Sequence, residues 1–122
     1  MRTIASVAFL LLVPILFASP ASAQDVRGQW VLTVDSPQGQ QAANLTLSFD
    51  SQGYLAGKLR GPQGEFTVSG EVVDEEICFG FTTNADGQEL SIGFEGFWNE
   101  SEMQRAVYFG EFGSGDWYAT RK

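Results

Sequence analysis

The 122-residue sequence contains no histidine and a single cysteine, Cys78. The missing histidine removes Ser-His-Asp and Cys-His catalysis together with the commonest metal ligand. The lone cysteine cannot form an internal disulfide, so packing and the backbone ladder must hold a small domain together. Basic residues are scarce, seven Lys and Arg against fifteen Asp and Glu, for a net charge of −8. A chain of that sign is repelled by nucleic acid and by anionic lipid, and neither is an expected partner. No glycine-rich loop sits between a strand and a helix, and Asp74-Glu75-Glu76 lacks the spaced oxygen ligands of a calcium loop. No cofactor, metal or enzymatic activity is therefore expected. Sustained helical periodicity is also missing.

What is present begins with a leader. Arg2 precedes an apolar run from Ile4 to Phe17, interrupted by Ser6 and Pro14, and Ala21-Ser22-Ala23 forms a small-residue cleavage site. The run is short for a bilayer span, carries a proline and has no basic stop-transfer flank, so stable membrane insertion is not expected. Residues 1–23 read as a signal peptide cleaved after Ala23, and residues 24–122 as one small exported domain, periplasmic or secreted. Gln24 rather than a cysteine stands directly after the cleavage site, which argues against a lipid anchor.

The remaining chain alternates with period two. Candidate strands run over Val26–Asp35, Ala43–Asp50, Tyr54–Arg60, Glu65–Val73, Glu76–Thr82, Glu89–Trp98, Met103–Gly110 and Asp116–Arg121. Short pieces rich in Gly, Pro, Asn and Asp separate them, as hairpins require. One phase is apolar throughout, including Trp30, Leu45, Leu47, Leu55, Val68, Phe79, Phe94 and Trp117, and the opposite phase is largely polar. One buried face, one wet face and uniformly short connections describe an antiparallel meander. Closing about eight such strands removes the exposed edges, so the expected fold is all-β, a single up-and-down barrel. An outer-membrane barrel shares the alternation, but several strands are too short for a tilted span.

Gly28-Gln29-Trp30 opens the first strand, and Arg121 lies on the inward phase of the last. This pairing resembles the closing signature of the calycin superfamily, which includes lipocalins, fatty-acid-binding proteins, avidins and bacterial metalloprotease inhibitors. The resemblance implies that Arg121 stacks over the Trp30 indole and plugs one barrel end, and cation–π attraction supplies the physical reason. The chain departs from these families in lacking a second lipocalin motif, a mappable biotin site and the inhibitors' disulfide. The ending Gly115-Asp116-Trp117-Tyr118-Ala119-Thr120-Arg121 and the leucine-x-glycine strands also resemble small exported bacterial proteins of unassigned function.

Two surfaces are candidates for binding. The first is the interior, suited to a small apolar or amphipathic ligand. Gly57, Gly70 and Gly96 give up volume there, opening a pocket or permitting a neighbouring ring or a strand bend. Arg105 is the inward residue without an apolar role, either an anchor for a ligand carboxylate or a strand-end side chain that reaches solvent or pairs with Glu100 or Glu102. The second surface is external. Val31, Phe97, Tyr108 and Tyr118 lie on the outward phase of the first and last three strands, with Trp98 at the rim. Such a patch suits another protein, a second copy of the chain or a hydrolase to be inhibited, the last of these also reachable through the leading segment. The expected role is thus a non-enzymatic binding or interaction module.

Overall fold

The computed structural model describes residues 25–122. The leader read over residues 1–23, with its cleavage after Ala23, lies outside the described residues. Eight strands follow in chain order: β1 (Gly28–Ser36), β2 (Gly39–Phe49), β3 (Leu55–Gly61), β4 (Gly64–Val73), β5 (Glu76–Ala85), β6 (Gln88–Trp98), β7 (Glu102–Tyr108) and β8 (Ser114–Arg121). Each pairs antiparallel with the next and β8 pairs back onto β1, closing one up-and-down barrel. A 3-10 turn at Gly110–Phe112 links β7 to β8.

Turn chemistry sets the hairpins. Asp86 and Gly87 join β5 to β6 with φ of 53° and 83°, the paired positive angles that match the twist of the flanking strands. Several strands run further than the apolar alternation indicates, β2 and β5 the most. β2 starts at Gly39 rather than Ala43, because Gly39–Ala42 pair with Ser36–Thr33. β5 reaches Ala85 rather than Thr82, because Thr83–Ala85 pair with Leu90–Gln88. In these extensions backbone pairing continues where hydrophobic patterning has ended. β1, in contrast, starts at Gly28. Val26 is fully buried but off the ladder, and its carbonyl accepts the Trp30 indole N–H at 2.9 Å.

The inward phase forms the core. Trp30, Leu45, Leu55, Val68, Met103, Val107 and Ala119 have no accessible surface, and Leu32, Leu47, Ile77 and Trp117 have almost none. A ligand-sized hollow would leave its walls accessible, so the barrel is filled at these levels. Phe79 and Phe94 stack with ring centres 4.8 Å apart, and Trp117 meets both edge-on at 5.5 Å. Aromatic rings prefer these offset and edge contacts, and each large side chain so buried contributes about 1.5–3 kcal/mol.

The wall is not uniformly laced. The β4–β5 ladder runs only from Val73 and Glu76 to Ser69 and Gly80, and the β6–β7 ladder stops at Gly93 and Tyr108. Beyond those points the β5–β6 hairpin continues as a two-stranded ribbon. Phe66 and Phe81 bridge the β4–β5 seam, their rings stacked 4.5 Å apart.

Candidate functional site

The closing residues meet at one barrel end. The Arg121 guanidinium lies 4.2 Å from the Trp30 ring centre. It donates to three backbone carbonyls, Nε to Glu100 at 2.7 Å, Nη1 to Arg27 at 2.8 Å and Nη2 to Asp25 at 2.8 Å. The planar fork thereby ties the β6–β7 turn to the leading segment over the buried indole. Gly28 has a φ of 125°, and a Cβ there would sit 3.1 Å from Arg121 Nη1, so glycine suits both the backbone and the approach of the fork. Beside it, Asp25 and Arg27 form an exposed ion pair at 2.8 Å. Its hydrogen bond with Arg27 holds the Asp25 carboxyl below its ordinary pKa.

The interior candidates separate. A Cβ on Gly57, Gly70 or Gly96 would overlap the backbone carbonyl of Thr46, Cys78 or Gln104 respectively. At all three positions the neighbouring strand's main chain takes up the volume that the missing side chain leaves. These glycines permit close strand approach. Arg105 aligns with Gly96 and Trp117 on the ladder, yet its side chain is exposed. Its guanidinium stands 5.4 Å from the Phe97 ring centre, on the outer side of the wall. No ion pair with Glu100 or Glu102 is present among the described residues.

Three outward aromatics lie on the adjoining strands β6, β7 and β8. Phe97, Tyr108 and Tyr118 are 48%, 46% and 49% exposed, values high for rings of this size on neighbouring strands. Phe97, Gln104, Tyr118 and Thr33 form one register row across β6, β7, β8 and β1. The two rings of that row stand two strands apart, about 10 Å. The Tyr108 hydroxyl donates to Glu95 Oε1 at 3.1 Å, and that bond to a carboxylate raises its pKa above the ordinary 10.0. Trp98 is half-buried and tied down, its indole N–H donating to the Asp74 carbonyl at 2.8 Å. Val31 lies two residues along β1 from Thr33, the partner of Tyr118, and lines a second shallow groove of about 320 Å³ with Asn44 and Arg60.

A groove of about 300 Å³ runs along this outer wall between β4 and β7, lined by Glu71, Cys78, Glu95, Phe97 and Arg105 among others. Of its carboxylates, Glu76 pairs with Phe97 in the aromatic row, whereas Glu71 and Glu95 belong to a second register row next to it, Glu71, Cys78, Glu95, Ala106, Asp116 and Asp35. The sequence reading did not single out this acidic row. Each acid is unremarkable in its own strand, and only the cross-strand register sets them side by side. Among the described residues no group of three or more His, Cys, Asp or Glu side chains is arranged to hold a metal, and no helix is long and apolar enough to cross a membrane. The geometry is that of a filled eight-stranded barrel with an aromatic, acidic outer wall. Comparison with protein-family models and with curated proteins yields no match to the chain.

Proposed function

We propose that this protein is an exported, calycin-like interaction module that engages another protein through the outer wall formed by β5–β8 and β1. The observation that carries the reading is the exposure of Phe97, Tyr108 and Tyr118 on adjoining strands. Rings left half in water on one face, with a groove beside them, have the composition of an interface centre. The arginine stacked over Trp30 supports the calycin-like assignment. The leader read at residues 1–23 supports export. Binding of a small molecule within the barrel has weaker support, because Trp30, Leu45, Leu55, Val68 and Val107 are packed with no accessible surface of their own.

Native mass spectrometry of protein isolated from its own host tests the reading. The expected result is a complex with a second polypeptide that is lost in the Phe97→Ser/Tyr118→Ser double variant. A small-molecule adduct retained by that variant, with no protein partner, would overturn it.

A further inference from the structure

Charge on the outer surface is sorted by strand. The outward positions of β2 and β3 carry Lys58 and Arg60, and their short side chains Ala42, Thr46, Ser48 and Ala56 make a plain surface. The aromatic wall carries Asp35, Glu71, Glu76, Glu95, Glu102 and Asp116, all exposed, against the single guanidinium of Arg105. None of the six carboxylates takes part in an ion pair among the described residues.

Two features make this more than a solvated face. Asp35 and Asp116 stand directly opposite each other on the β1–β8 ladder. Like charges so placed destabilise a sheet, and no cation offsets them from within the described chain. The acidic row also runs parallel to the aromatic row, one two-residue step away, so Phe97 and Tyr118 are flanked by Glu95 and Asp116 on their own strands. A ring beside a carboxylate is a receptor for a cationic side chain, because ring face and anion both attract it. Arg105 over Phe97 shows that the wall accommodates a guanidinium in this manner.

From this charge complementarity we infer that the partner surface is basic: an arginine- and lysine-bearing segment of another protein lies along the Phe97–Tyr118 row and sets its cations against Asp35, Glu95 and Asp116. The inference rests on the interaction reading above and specifies its partner chemistry. Two copies of this chain do not pair wall to wall, since two acidic faces repel each other.

The test titrates the purified protein with an oligo-arginine peptide while following backbone amide resonances. An oligo-glutamate peptide serves as the opposite-charge probe. The expected result is that oligo-arginine shifts resonances on β6, β7, β8 and β1, oligo-glutamate does not, and Asp35→Asn/Asp116→Asn weakens binding by about fivefold. Asp50→Asn/Glu65→Gln makes the same charge change on the β2–β4 side of the barrel and should alter affinity by less than about twofold. Equal weakening in the two variants, or shifts scattered over the barrel, would mean general attraction to a polyanion and would overturn the inference. The host complex separates the two levels of the argument. Loss of that complex in Phe97→Ser/Tyr118→Ser but not in Asp35→Asn/Asp116→Asn would overturn the basic-partner inference alone, and its persistence in both would overturn the interaction reading as well.

Discussion

The guanidinium of Arg121 covers the indole of Trp30 at 4.2 Å while donating to the carbonyls of Asp25, Arg27 and Glu100. One side chain thus supplies a ring cover and three hydrogen bonds that join segments far apart in sequence. Arg121→Ala strands those carbonyls and uncovers the indole, and should cost about 2–4 kcal/mol in urea denaturation. Arg121→Lys should recover less than half of the loss, because an ammonium lacks the planar fork. A lysine variant as stable as the parent would show that closure does not depend on this geometry.

The wall glycines are set apart by what a methyl group would meet. A Cβ on Gly96 overlaps the Gln104 carbonyl, whereas one on Gly93, three residues earlier on the same strand, meets nothing within 4 Å. Gly96→Ala should destabilise by about 1–3 kcal/mol and Gly93→Ala by less than about 0.5 kcal/mol. Thermal unfolding of the pair decides it, and equal losses would contradict the close approach of β7 to β6.

Asp35 opposite Asp116 predicts a stabilising surface substitution. Asp116→Asn relieves the repulsion and should raise stability by about 0.2–1 kcal/mol at low ionic strength. The gain should shrink as salt screens the pair.

Tyr108 gives a pH signature. Its folded pKa is raised by the hydrogen bond to Glu95 and by that carboxylate's charge, so the neutral phenol is the favoured form. The stabilisation is fully present below the ordinary tyrosine value of 10.0 and is lost as pH rises through the higher folded value. Ultraviolet difference titration should show the Tyr108 phase moving to lower pH in Glu95→Gln. An unmoved phase would show that the Tyr108–Glu95 contact does not control the phenol.

The sidedness of this fold was legible in the sequence. Trp30, Phe79, Phe94 and Trp117 lie inside as the alternation requires, and the turns fall where Gly, Pro, Asn and Asp cluster. Strand ends were less legible where backbone pairing outlasts patterning, as at Gly39–Ala42. Arg105 sits on the inward register yet is exposed beside Phe97, and the close approach of β7 to β6 at Gly96 is a property of two strands and not of one. The acidic row was illegible for the same reason, since Asp35 and Asp116 are 81 positions apart and only the closure of β8 onto β1 makes them neighbours.

The outer wall as working surface is tested most directly by a hydrogen-exchange footprint of the complex isolated from the host, compared with the free protein. The account predicts slowed exchange at the outward positions of β6, β7, β8 and β1, centred on Phe97, Gln104 and Tyr118, with β2 and β3 unchanged. Slowing confined to β2 and β3, or to the Phe66–Phe81 seam, would contradict it.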